Sequence, residues 1–252
     1  MSSTASQPSP AAGGGHDCAS PEFAHANHPP RDLYVGVLSG GQDISLAGWL
    51  RIGYQAIESK AAVAAWAEFQ EALYTDPALN IRRGDTLRAR KLAAGQGRTR
   101  FPSTRRGPTK AEQWGYRHVL RRGLDVIAGL PGTTVGTARS RGGAHAATAD
   151  ALLSRLSAHH AAEGTSALAV LRTNTAASWY ELTPAPSAVD PRAARELPYV
   201  SAGLEAGLDG LLEAAEFVAY CAYQHHARRR NRRFLWDWFP ELLPGAEGPL
   251  EL

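Results

Sequence analysis

With 252 residues, 44% of them hydrophobic, the chain has material for one large domain or two small ones around a real core. Its formal charge of +3 hides a local imbalance: 13 Lys or Arg stand against Asp85 and Glu112 alone between residues 81 and 122, and five arginines lie between 228 and 233. Two cysteines, Cys18 and Cys221, exclude a disulfide framework and a Cys-based zinc site, and the lack of any apolar run of about 18 residues excludes a spanning helix.

Residues 1–31 are rich in Ser, Pro, Ala and Gly and cannot bury enough surface to offset the entropy of ordering, so they are predicted to form a disordered tail. His16, His25 and His28 lie in it without Cys or carboxylate partners at ligand spacing, and no metal is expected there. Residues 32–80 are predicted to form a strand and a helical segment. The β-like run 33–38 (LYVGVL) is followed by Ser39, Gly40, Gly41, Gln42 and Asp43. From Ile44 to Tyr74 the apolar residues Leu46, Leu50, Tyr54, Ile57, Ala61, Ala65, Phe69 and Leu73 then recur at helical steps.

A strand, a glycine turn and a helix start can present backbone N–H groups to an anion. The letters SGGQD resemble the SGGxDS loop of the PP-loop ATP pyrophosphatases, with Ile44 in place of the second serine. That resemblance implies a phosphate site at Ser39, Gly40, Gly41 and Asp43. The simpler reading of the same letters is an edge strand turning into a helix capped by Asp43.

Residues 81–108 read as a basic linker or arm: a short helix over 85–94, then a Gly- and Pro-containing stretch carrying Arg98, Arg100, Arg105 and Arg106. Such an arm can lie along phosphates or enter a minor groove.

In residues 109–184, Thr109 and Glu112 have capping-box spacing, and Tyr116, Leu120, Leu124, Ile127 and Leu130 form one stripe, closed by Pro131-Gly132. Residues 133–141 read as a short second helix with Val135 and Ala138 inward, and Gly142 and Gly143 as a turn. Residues 144–160 read as a third helix with Ala149, Leu152, Leu153 and Leu156 inward. Two β-like runs, 167–172 and 178–183, then suggest a wing. The run RRGLDVIAGL, the stretch from Gly143 with Thr148 and its leucines, and WYELT resemble the corresponding parts of IclR-like and MarR-like bacterial regulators. The resemblance implies a third helix in the major groove, with His145 and Thr148 near its start. Arg155 would meet a phosphate or base edge and Arg172 would lie on the wing. Arg139 and Arg141 complete the candidate DNA contacts.

Residues 192–243 are predicted to hold a C-terminal helix. Leu204, Leu208, Leu211, Ala215, Val218 and Ala222 form a seam that suits either a homodimer or packing on the N-terminal part. Glu213, Glu216 and Tyr220 share the opposite face, which reads as solvated; with His225 and His226 they make no Glu-x-x-His pair. Phe234, Leu235, Trp236, Trp238 and Phe239 are expected to dock on the body.

The expected fold is therefore mainly α with a small β wing, a winged helix-turn-helix plus further amphipathic helices. The expected function is sequence-specific binding of double-stranded DNA in a bacterial cytoplasm, at the nucleoid, by a transcriptional regulator or a plasmid or phage replication factor. No catalytic residue, cofactor, metal or membrane is called for. The alternatives are a nucleotide-binding enzyme built on the SGGQD turn and a winged-helix protein-interaction adaptor; Arg141, Arg155 and Arg172 argue against the adaptor.

Overall fold

Alternation with a period of two, not of 3.6, governs the first ordered segment. Asp32–Gly40 forms strand β1 and Ile44–Gly53 forms β2, joined as an antiparallel hairpin in which Gly40 opposes Ser45. The computed structural model describes residues 30–53, 60–96, 108–142, 144–173, 176–183, 191–192 and 202–252. Leu46 and Leu50, read from sequence as one helical stripe, do share a face, because positions four apart coincide in a strand as well. The helical reading is correct only from α1, Ala61–Tyr74. Tyr54 and Ile57, like Arg98, Arg100, Arg105 and Arg106 of the basic arm and residues 1–29 of the N-terminal tail, lie outside the described residues.

Thr133–Arg141, expected as a short helix, is strand β3, paired antiparallel with β2 along its length. Gly136 makes this pairing possible: a Cβ there would sit 2.3 Å from Cε2 of Trp49, whose ring lies across the glycine. The expected wing strands are β4 (Ala167–Arg172) and β5 (Ala177–Leu182). They form no free hairpin, since β4 runs parallel to β1 in the middle of a sheet and is buried at all six positions. With β6 (Pro191–Arg192) and β7 (Glu247–Glu251) the sheet has seven strands in the order β6-β5-β4-β1-β2-β3-β7. The fold is thus α/β, and the mainly α architecture with a small wing is not what this chain adopts.

Helices cover both faces. On one face, α2 (Ala89–Ala93), α3 (Lys110–Ala128), α5 (Ala202–Ala227) and α6 (Trp238–Leu242) join α1. They bury Leu33, Val35, Leu46, Leu50 and Val170 against residues such as Phe217, Val218 and Leu124. On the other face α4 (His145–Glu163) packs Leu152, Leu153 and Leu156 on Leu38, Ala47, Trp49 and Leu171. The capping box expected at Thr109 and Glu112 starts α3. The apolar seam of α5 is buried within its own chain, with Leu211, Ala215, Val218 and Ala222 at most 1% exposed. Gly48 lets α5 approach β2 closely; a Cβ there would stand 2.5 Å from the Ala219 nitrogen. Among the described residues no helix is long and apolar enough to cross a membrane.

Candidate anion-binding site

The chain leaves the carboxyl ends of the parallel neighbours β1 and β4 in opposite directions, β1 toward β2 and β4 toward β5. Diverging connections of this kind open a crevice beyond the strand ends, where α/β sheets take their ligands. A cavity of about 380 Å³ lies there. Ser39 and Gly40 at the end of β1 and Arg172 at the end of β4 form its floor, and α5 supplies Glu216, Tyr220, Tyr223 and Gln224 as a wall. Arg88 and Arg90 close one side. The other is closed by Arg229, Asn231 and Arg232, from the start of a 3-10 helix spanning Arg230–Leu235.

Two carboxylates of α5 hold this arrangement. Glu213 Oε1 accepts from the Leu87 backbone nitrogen at 2.9 Å and its Oε2 from Gln70 Nε2 at 2.7 Å. Glu216 Oε1 accepts from the Ala89 nitrogen at 3.1 Å, while its Oε2 accepts from Arg88 Nη1 and Arg172 Nη2, both at 2.9 Å. Backbone N–H groups two residues apart are thereby pinned to α5, which fixes Arg88 and Arg90 at the mouth. Burial pushes the Glu213 carboxyl up to about 7, against the two hydrogen bonds that lower it. Burial also pulls the Arg172 guanidinium down, and Glu216 opposes that shift. Arg172 gains a further acceptor in the Leu212 carbonyl at 3.2 Å.

Glu216 is therefore committed to three donors, whereas among the described residues five guanidinium groups line the cavity against this one carboxylate. Arg229 lies over the Tyr223 ring, 5.3 Å from its centroid, and Arg232 Nε donates to the Tyr220 hydroxyl at 3.2 Å. Neither contact neutralises charge. A concave site with surplus positive charge and partly desolvated arginines is built to receive an anion.

Of the residues singled out from sequence, the structure brings Ser39, Gly40, His145 and Arg172 to this cavity. His145 Nδ1 shares a hydrogen bond with Ser45 Oγ at 3.0 Å. The SGGQD stretch is a hairpin tip, not a strand-to-helix turn, and the Gly41 nitrogen is spent on the Ile44 carbonyl at 3.0 Å. Asp43 caps no helix; its carbonyl accepts from the Gly142 nitrogen at 3.0 Å. Gly41 matters for its missing side chain, since a Cβ would lie 2.7 Å from Arg229 Nη2 and 2.8 Å from the Tyr223 hydroxyl.

The expected DNA-reading set is dispersed. Thr148 is buried and hydrogen-bonded to Ser140 at 2.7 Å, because the helix face that carries it packs on the sheet. Arg139 pairs with Glu251 at 2.6 Å on the edge strand. Arg155 and Arg141 are exposed, but do not line the cavity.

The sequence reading missed Arg88, Arg90, Glu216, Tyr220, Tyr223, Arg229 and Arg232 as one site. It took Glu213, Glu216 and Tyr220 for a solvated face, yet Glu213 is 5% and Tyr220 8% exposed. The signal was present in α5. Leu211, Leu212, Ala214, Ala215, Phe217, Val218 and Ala219 leave no polar face, so the helix is surrounded and its carboxylates must be buried and paired. Among the described residues no group of three or more His, Cys, Asp or Glu could hold a metal ion. Family models, curated proteins and solved structures yield no match to the chain.

Proposed function

We propose that the protein binds a phosphate-bearing ligand of nucleotide size in the arginine-lined cavity. The surplus of guanidinium groups over carboxylate carries this reading. Arginine forks match phosphate oxygens in paired hydrogen bonds, and a cavity of about 380 Å³ falls within the range of small-molecule sites. Tyr220, Tyr223, Gln224 and Asn231 add the polar and aromatic groups that orient such a ligand. Double-stranded DNA has less to support it. Thr148 is buried, Arg139 is paired, and a duplex does not enter a cavity of this size. No reaction is assigned, because the one carboxylate among the described residues lining the cavity is held by two arginines.

Isothermal titration of a nucleoside monophosphate and of the parent nucleoside, into the wild type and into a double variant Arg229→Ala with Arg232→Ala, tests the reading. The monophosphate is expected to bind and to lose at least about tenfold in affinity in the double variant, since charge-assisted hydrogen bonds are removed. Equal binding of the nucleoside, or an unchanged affinity in the variant, would refute it.

A further inference from the structure

A second cluster of arginine and aromatic side chains is carried by segments next to those that close the cavity. Arg117 of α3 lies over the rings of both Trp114, at 5.1 Å, and Phe234, at 4.6 Å, and the two rings meet edge to face at 6.4 Å. Trp114 is 58% exposed, the one large apolar side chain left open among the described residues. Two short segments tie this cluster to the cavity. Phe234 belongs to the 3-10 helix whose Asn231 and Arg232 line the cavity, and Arg117 Nε donates to the Ala93 carbonyl at 3.4 Å, at the end of the helix whose Arg90 lines it from the other side.

Trp236 shows what a purely structural indole looks like in the same region. Arg228 and Arg233 lie over its ring at 5.5 and 5.8 Å, and its Nε1 donates to the Arg229 carbonyl at 3.2 Å. It is half-buried, with two cations over its ring and its donor used. Trp114 has one cation beside it among the described residues and most of its surface in water, the form of a platform for a planar partner.

We propose that the cavity's ligand is the phosphate-bearing end of a single-stranded nucleic acid, whose following bases stack on Trp114 beside Arg117. This rests on the phosphate reading of the cavity. Unpaired bases offer a π face whatever their identity, and a cationic groove with aromatic steps is the chemistry that holds them. In a duplex those faces are already stacked. An acidic peptide would satisfy the arginines but has no need of an open indole.

Short oligonucleotides carrying a phosphate at the 5′ or the 3′ end, and labelled at the other, test this by fluorescence anisotropy. Unphosphorylated strands, a mononucleotide and a poly-glutamate peptide serve as competitors, and DNA and RNA strands are run side by side. A strand phosphorylated at one of its ends is expected to bind at least about tenfold tighter than the unphosphorylated strand and the mononucleotide. Trp114→Ala is expected to weaken the strand about fivefold or more and to leave the mononucleotide unaffected, whereas Trp114→Phe retains most of the affinity. Trp114 is exposed, so its truncation opens no void in the core, and thermal melting checks that the fold is kept. Equal affinity for strand and mononucleotide, no effect of Trp114→Ala, or equal competition by poly-glutamate overturns the proposal. In each of these cases the phosphate reading still stands if the mononucleotide responds to the Arg229→Ala and Arg232→Ala changes, and both fall if it does not bind.

Discussion

The two faces of the sheet are built from alternate residues of the same strands, yet they bury polar groups of different kinds. Under α4 the buried groups are neutral and satisfy one another. The Tyr34 hydroxyl and His160 Nε2 share a hydrogen bond at 3.1 Å, and His160 Nδ1 shares one with Thr165 Oγ1 at 2.8 Å. Under α5 they include Glu213 and Arg172, joined by the half-buried Glu216 and by Arg90, Arg229 and Arg232, which meet no carboxylate among the described residues lining the cavity. A neutral network with every group paired stabilises a core and needs nothing further. A charged network with cations in excess is complete only when an anion arrives.

Three measurements break or sharpen this contrast. The largest effect is expected from Glu216→Ala, which strips the carboxylate from Arg88, Arg172 and the Ala89 nitrogen at once. Leaving a buried cation without its partner costs about 3–5 kcal/mol, measurable by urea unfolding. Inorganic phosphate at constant ionic strength should return part of that loss, because it binds only the folded cavity. No recovery would mean that the cavity does not take anions. Leu152→Ala, in the core under α4, should cost about 3 kcal/mol through the void it leaves. Phosphate should not repair it, and the same salt series shows whether it does.

The smallest effect concerns pH, where the faces should slope in opposite directions. Glu213 is raised from 4.5 to about 7, so between these values the folded chain holds a proton that the unfolded chain has released, and stability falls as pH rises through that window. Glu213→Gln should remove this fall and gain about 2 kcal/mol over the wild type by pH 8. His160 is lowered from 6.5, chiefly by burial, so its contribution is present above 6.5 and lost as pH falls below it. Unfolding curves of both proteins from pH 4 to 8 read the difference directly; parallel curves would show that Glu213 is ionised in the fold throughout.

Local grammar made some of this molecule legible. The capping box at Thr109 and Glu112 and the leucine spacing of α4 specify helices without help from the rest of the chain. Segment β2 was misread because Leu46 and Leu50 satisfy both periodicities, and β3 because Gly136 and Ala138, both poor strand formers, interrupt it and its pairing is decided by β2 and β7. Strands β4 and β5 were found, but their place in the middle of a sheet depends on β1, more than a hundred residues away. The cavity was harder still. Its arginines come from residue 88, 90, 172, 229 and 232, and nothing local in any of these segments announces the others.

The contact at Gly48 divides the chain by how freely it can change. Helix and sheet touch there through backbone, and the Phe217 ring of α5 fills the space that a side chain at Gly123 of α3 would take, so the frame that carries Glu213 and Glu216 has almost no tolerance for drift. The guanidinium groups at the rim, by contrast, hang from exposed positions such as Arg90 and Arg229. Substitution there alters what the cavity accepts without disturbing the scaffold, so related chains would be expected to keep the glycines and diversify at the arginines.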